Sequence, residues 1–385
     1  MDALARRLKQ LGWGGLRPFH DLGVLTWRER RIIQRGLAEV TRMQHLMEQA
    51  RYVAKFEEDI ATAVQSPHAI TLASGTDALY FALQQAGVGP GKAVITSTNT
   101  WITTLTTVHE LGATCQFVDV EPGTGLMDPA KIEQTITPET VVIMPIHMYG
   151  SMVRMDVVMD ISRRHGLRVI EDACQAIGAS LHGRAAGTWG DAGCFSFHST
   201  KLVGAPSDGG LLVTPHQDWA EAIRKCATAC WEDALVRRQA RIPSRLPALA
   251  VPFLRARLSA LQQRVEGRRA QWHRYEAVLR DVRGLEIIRP SPGVEGSYRN
   301  CIVMTPHKEA IMAACRRSGL PLEEIYPQSK GFLERIACGD VQGMAPSVFP
   351  AAAKLAASGL ALPLGRHLKG RHIDAVADII RNCHL

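Results

Sequence analysis

No Cys-x-x-Cys pair occurs anywhere in the 385 residues, and the nine cysteines are scattered along the chain. That spacing argues against a zinc ribbon or a disulfide framework and suits small reduced thiols in apolar segments. Cys115, Cys174 and Cys194 sit in such strand-like runs. Cys226 and Cys230 lie four apart on a predicted helix, but no histidine or further cysteine stands near enough in sequence to complete a metal site, so none is expected. Long apolar runs are also missing. Nothing approaches the ~20 residues that a membrane-spanning helix needs, and the longest candidate, Leu246 to Leu254, is interrupted by Pro247 and Pro252. The opening Met1-Asp-Ala-Leu-Ala-Arg-Arg has no apolar core or cleavage pattern behind it, which predicts a cytoplasmic protein without a signal peptide. Internal repeats and low-complexity tracts are absent. Aromatic residues make up only 6%, which leaves the arginine-rich stretch described below with little of the aromatic interleaving that nucleic-acid binding favours.

What is present is the composition of a soluble globular protein, with 46% apolar and 21% charged residues. The length predicts two domains. The net charge of +8 is uneven, because twelve arginines fall between Arg237 and Arg283. The plain reading of that segment is a solvated helical face. The functional reading is attraction of an anionic substrate, phosphorylated or nucleotide-linked.

Taken in order, residues 1–30 read as a loop-like arm around Trp13-Gly-Gly-Leu-Arg-Pro. An apolar stripe from Thr26 to Val64 predicts helix. Strands and helices then alternate, with strands predicted at Ala69, Ala93, Ala113, Thr140, Leu167, Gly193 and Gly210. Helices are predicted at 78–86, 100–111, 128–135 and 155–165. That pattern predicts an α/β fold with about seven strands, mostly parallel and covered by helices on both faces, the last strand being a candidate for antiparallel pairing. Beyond Trp219 the chain turns Arg- and Pro-rich, a long helix is expected over 254–282, and short strands mix with helices to the end. We place the division at residue 245, with a large domain over 1–245 and a smaller α+β domain over 246–385.

Ligands of open α/β sheets bind at the carboxyl ends of strands, and four groups of residues fall there. Ser74-Gly75-Thr76 opens a helix and can cradle a phosphate, although an ordinary N-cap has the same sequence. Asp172 ends an apolar strand, where a carboxylate needs a partner. A protonated pyridine nitrogen would serve, as would a helix N-terminus, and Gln175 follows one turn later. Trp101 follows Ser97-Thr-Asn-Thr, either stacking on a planar ligand or packing in the core. Finally, Phe195-Ser196-Phe-His-Ser-Thr-Lys201 carries a strand into a hydroxyl-rich loop that presents one lysine before Ser207-Asp-Gly-Gly210. A lysine at such a place is either solvated or an imine-forming amine that has shed its proton.

Together these pieces resemble the PLP-dependent (pyridoxal 5'-phosphate) sugar aminotransferases of the DegT–StrS type, within the aspartate-aminotransferase-like fold type I. The resemblance is carried by Ser74-Gly-Thr-Asp-Ala-Leu79, Pro145-Ile-His-Met-Tyr-Gly150 with Met155-Asp156, and Glu171-Asp-Ala-Cys-Gln-Ala176. It continues through Gly190-Asp-Ala-Gly-Cys-Phe-Ser-Phe197, Thr200-Lys201 and Asp208-Gly-Gly210. It implies that Lys201 holds the cofactor as an imine and shuttles protons, and that Asp172 pairs with the pyridine nitrogen. It further implies that Gln175 lies near the ring hydroxyl, that Gly75, Thr76 and Ser196 hold the phosphate, and that Trp101 stacks on the ring. A homodimer with shared active sites is implied as well.

Two departures stand out. The family's Asn-aromatic-Arg-Met segment, which sends an asparagine to the partner's phosphate, is matched here by Arg255-Ala-Arg-Leu-Ser-Ala260, so Arg255 stands where the asparagine is expected. The usual Gly-Pro approach to the cofactor is missing from the N-terminal arm. The expected activity is transfer of an amino group from glutamate or glutamine, through the pyridoxamine 5'-phosphate form, to a keto sugar or keto cyclitol, with or without an attached nucleotide. The alternatives are a dehydratase or ring-forming relative, and a non-catalytic α/β protein that binds nucleic acid or a partner. Dehydratases of this kind replace the lysine with histidine, so Lys201 argues against that branch, with His198 close by as the caution.

Overall fold

The computed structural model describes residues 25–228, 243–318, 320, 322–325 and 349–384. The arm around Trp13, Cys230 and Arg237, Arg238 and Arg241 fall outside these residues. The first helix, α1, runs Trp27–Val40. Thr26 starts it with a reciprocal cap: its Oγ1 accepts from Glu29 N at 3.1 Å while Glu29 Oε2 accepts from Thr26 N at 2.8 Å. The second, α2, spans Leu46–Val64. The continuous helix expected from Thr26 to Val64 is therefore two helices. The break at 41–45 lets the buried stripe of α2 (Tyr52, Phe56, Ile60) face the sheet while α1 turns toward a later helix.

The βα alternation follows as β1 (His68–Leu72), α3 (Gly75–Gln85), β2 (Ala93–Ser97), α4 (Ile102–Glu110), β3 (Thr114–Val118) and β4 (Thr140–Met144). Next come α5 (Met155–His165), β5 (Arg168–Asp172), the short β6 (Ser180–Leu181) and β7 (Arg184–Ala185), β8 (Ala192–Ser196), β9 (Gly210–Thr214) and α6 (Gln217–Thr228). Between β3 and β4 the expected helix over 128–135 is replaced by two single 3₁₀ turns, Pro129–Lys131 and Glu133–Thr135. Asp128 caps the first by accepting from Ala130 N at 3.1 Å.

The seven-stranded sheet has the order β1-β9-β8-β5-β4-β2-β3. Its β2–β3, β2–β4, β4–β5 and β5–β8 pairs are parallel, and β9 runs antiparallel to both neighbours. This is the predicted α/β arrangement. Apolar side chains fill both faces: Phe56, Ile60, Ile95 and Phe197 belong to one core, and Ile70, Leu79, Leu83 and Ile223 to the other. Parallel strands buried on both faces have continuous apolar runs, which is why β2, β5 and β8 were legible in the sequence.

Past Pro243, α7 (Val251–Leu258) and α8 (Leu261–Leu279) replace the single long helix expected over 254–282. The α1 helix packs on α7 at Gly36, where a Cβ would come within 2.8 Å of Pro252. The C-terminal part adds β10 (Glu286–Ile287), β11 (Val294–Glu295), β12 (Cys301–Met304), α9 (Lys308–Arg317), β13 (Glu323–Glu324), α10 (Pro350–Ser358), β14 (Gly359–Leu362) and α11 (Gly370–Asn382). A four-stranded sheet β10-β12-β14-β13 and a third apolar core, from Trp272 to Ile380, organise this part.

The arginine-rich segment is not simply a solvated face. Arg257, Arg264 and Arg268 are 3, 5 and 6% exposed. Glu29, itself buried, pairs with Arg264 at 2.6 Å, Arg366 at 2.8 Å and Arg257 at 3.7 Å. Buried guanidinium groups need such partners, and here they tie α1 to α8 and to the chain near its end.

Candidate active site

A cavity of about 500 Å³ opens where the carboxyl ends of β1, β2, β4, β5 and β8 converge. Seven of the eight residues singled out from the sequence line it: Gly75, Thr76, Trp101, Asp172, Gln175, Ser196 and Lys201. Arg255 does not. Its Nε donates to Asp59 Oδ2 at 3.0 Å, and its guanidinium lies 4.8 Å over the Tyr52 ring.

The β1–α3 turn is built for an anion. Ser74 caps α3 by accepting from Asp77 N at 3.0 Å, so the helix starts at Gly75 with its first amides directed at the cavity. Gly75 allows this close approach, because a Cβ there would sit 3.0 Å from both Ser196 Cβ and Cys174 Sγ. Ser244 Oγ donates to Asp77 Oδ2 at 2.7 Å and accepts from Ala73 N at 2.9 Å, which ties the chain entering α7 to the same turn.

Asp172 lies at the end of β5, 5% exposed. Its Oδ2 accepts from Thr104 Oγ1 at 2.8 Å and its Oδ1 from Cys174 N at 3.1 Å. A carboxylate with two neutral donors is oriented but not neutralised, and it can still take a cationic partner. Its neighbour Glu171 faces the opposite way and is structural. It accepts from Gly187 N, Trp189 N and Gly190 N at 2.8, 2.6 and 2.8 Å, and lies 3.0 Å from His147 Nε2.

Lys201 stands on a tight loop after β8. Lys201 N donates to His198 O at 2.8 Å, and the loop closes where Ala205 N donates to Phe197 O at 3.0 Å. Gly204 permits the turn, since a Cβ there would lie 2.6 Å from His198 O. Burial and the neighbouring Arg299 guanidinium pull the lysine amine down from 10.5 to about 8, against the opposing pull of Cys174 and Asp172. His198 lines the mouth of the cavity, with Thr200 Oγ1 3.0 Å from its Nδ1.

Four features were missed in the sequence. Cys174, expected to be a core thiol, lies in the cavity wall, where burial pushes its thiol well up. Thr104 holds Asp172. Tyr149 adopts a left-handed φ of 62°, and its amide donates to Gln175 Oε1 at 3.1 Å. Arg299 and Asn300 reach in from the C-terminal part, on a segment read only as a strand. The Tyr-Gly pair ending a strand was a usable sign of the bend; nothing local marks Arg299.

The groups present fit pyridoxal phosphate: amides and hydroxyls at one end suit a phosphate, a carboxylate faces the centre, and an amine of lowered basicity stands beside it. With that geometry in view, the profile of the DegT/DnrJ/EryC1/StrS aminotransferase family matches residues 28–381. The chain is 35% identical over 337 residues to the dTDP-3-amino-3,4,6-trideoxy-alpha-D-glucose transaminase of Micromonospora megalomicea subsp. nigra, covering 85% of this chain and 89% of that one. It is 33% identical over 372 residues to the "Pleiotropic regulatory protein" of Geobacillus stearothermophilus, covering 95% of this chain and 99% of that one. The fold superposes on S. venezuelae DesV, solved in complex with a ketimine intermediate, with a TM-score of 0.84 at 28% identity, covering 92% of this chain and 95% of DesV.

Proposed function

We propose that this chain, which belongs to the DegT/DnrJ/EryC1/StrS aminotransferase family, uses pyridoxal phosphate to move an amino group from glutamate or glutamine to a keto sugar or keto cyclitol in amino-sugar biosynthesis. The observation that carries this reading is the convergence of Lys201, Asp172 and the N-terminus of α3 on one cavity. When bound, the cofactor supplies an electron-withdrawing ring that stabilises the carbanion left on removal of the donor's α-proton. The protein's residues do the rest.

The amides of Gly75 and Thr76, with the hydroxyls of Thr76 and Ser196, hold the phosphate at the helix terminus. Asp172, fixed by Thr104 and the Cys174 amide, sets its negative charge against the ring nitrogen. Gln175, oriented by the Tyr149 amide, faces the ring hydroxyl, and Trp101 covers the mouth. Lys201 Nζ takes and returns the proton; with its value lowered from the ordinary 10.5 to about 8, a useful fraction of the amine is neutral around neutral pH. Glu323 and Glu324, on the far wall, accept hydrogen bonds from the hydroxyls of a sugar or cyclitol. The transaminase relative acts, by its name, on a dTDP sugar, which supports a sugar acceptor here.

The same proposal includes a homodimer and a cytoplasmic address, with Arg255 directed at the partner's cofactor phosphate. It keeps the division at residue 245, with α7 a C-terminal element that packs back on the large sheet's helices. Borohydride reduction of the PLP-loaded protein, followed by peptide mapping, tests the reading. The cofactor should be found on Lys201, and the visible spectrum should change on adding L-glutamate. Colourless protein that takes up no PLP overturns it.

A further inference from the structure

We propose that Arg299 is the carboxylate-recognition residue of this cavity, gripping the carboxylate of the molecule that exchanges the amino group. The inference rests on the aminotransferase reading for what that molecule is, and on geometry alone for the carboxylate.

Arg299 is held by backbone and not by charge. Its amide donates to Tyr149 O at 2.8 Å, and Ser297 N donates to Gly150 O at 2.7 Å. Gly150, at φ +79°, makes this docking possible, because a Cβ there would come within 2.5 Å of Arg299 N. From the other side, Arg268 Nη1 donates to Arg299 O at 3.1 Å and Arg269 Nε to Gly296 O at 2.9 Å. Four contacts thus fix the segment that brings one guanidinium from the C-terminal part to the side of Lys201.

Once there, the guanidinium is undersatisfied. Its Nη1 donates to the amide oxygen of Asn300 at 2.9 Å, its Nε is buried with no acceptor, and no carboxylate pairs with it among the described residues. A half-buried guanidinium without a counter-ion is costly unless an anion arrives. The cofactor phosphate and a substrate carboxylate are the anions nearest the reacting carbon in the proposed reaction. The cofactor phosphate has its own donors at the start of α3, while Arg299 borders the crevice beside Gln175 and Lys201. A substrate carboxylate placed at Arg299 would therefore stand next to the proton-carrying amine, and the planar fork of the side chain suits it. The carboxylate belongs either to the amino donor or to an acidic sugar acceptor.

Calorimetric titration with glutarate, a dicarboxylate with no amine to transfer, and with glucuronate tests this on the full chain, with and without PLP. In Arg299→Gln the glutarate Kd should rise on the order of a hundredfold, from loss of a charge-assisted pair. Arg299→Lys should fall between the two, and PLP affinity should change far less than the glutarate Kd, because Arg299 touches imine formation only through the basicity of Lys201. If glucuronate and not glutarate depends on Arg299, the carboxylate is the acceptor's and the assignment of the residue stands. Equal binding by the wild type and Arg299→Gln, no binding of either carboxylate by the wild type, or an equal loss of PLP affinity overturns it. Failure of Lys201 to trap PLP would sink the aminotransferase reading separately, because glutarate binding is also read on the PLP-free protein.

Discussion

Replacing Lys201 by methionine should make the cofactor-free protein more stable while abolishing its chemistry. The lysine's amine is held at about 8, where an unfolded chain would hold it at 10.5. At about 1.4 kcal/mol per pH unit, that gap amounts to roughly 3 kcal/mol. The side chain is not fully enclosed, and solvent screening brings the expected effect to about 2 kcal/mol. The sign follows from proton counting. Below pH 8 both the folded and the unfolded lysine are protonated, and the folded state bears the full cost of a poorly hydrated cation. Between about 8 and 10.5 the folded lysine has lost its proton and the unfolded one has not, so stability rises with pH by linkage. Lys201→Met removes the group, so its advantage over the wild type should be largest below pH 8 and shrink as pH rises to 10.5. Urea denaturation of both cofactor-free proteins across that range measures it, and other titrating groups cancel in the difference. An advantage that does not change with pH would show that methionine merely packs better, and no advantage at all would refute a desolvated lysine.

Further expectations concern the surrounding groups. Asp172→Asn should retain PLP but slow its reaction with L-glutamate by about a hundredfold, because the charge opposite the ring nitrogen is lost; stopped-flow spectroscopy reads this directly. Gly150→Ala should destabilise the protein by at least the ~1–2 kcal/mol of a left-handed alanine and weaken glutarate binding, since the new Cβ would press on the Arg299 amide. Thermal melts and calorimetry check the two effects. Glu171→Gln should lower stability by about 2–3 kcal/mol, because its charge serves two buried amides and a part-buried one, with proteolysis appearing first near residues 187–190.

The chain's own order of residues determined a great deal. Apolar runs bounded by turns placed all seven strands of the main sheet, and their alternation with helices required a mostly parallel arrangement. Strand ends carrying Ser74-Gly75-Thr76, Asp172 and Ser196 to Lys201 then marked the site, because each functional residue lies within a few positions of a strand end. Helix continuity was harder to read: apolar periodicity runs through 41–45 and Ser259–Ala260, where packing of Gly36 against Pro252 and burial of three arginines shape the chain. Only the tertiary structure could bring Arg299 to Lys201. No local pattern distinguishes an arginine two residues ahead of β12 from a solvated one. Its place depends on a left-handed bend at Tyr149-Gly150 meeting a strap held by Arg268 and Arg269 from α8. Lys201 was also open in sequence, as either a surface residue or a reactive amine. The burial and the guanidinium beside it, contributed by distant parts of the chain, lower its basicity and make it suited to carry a proton.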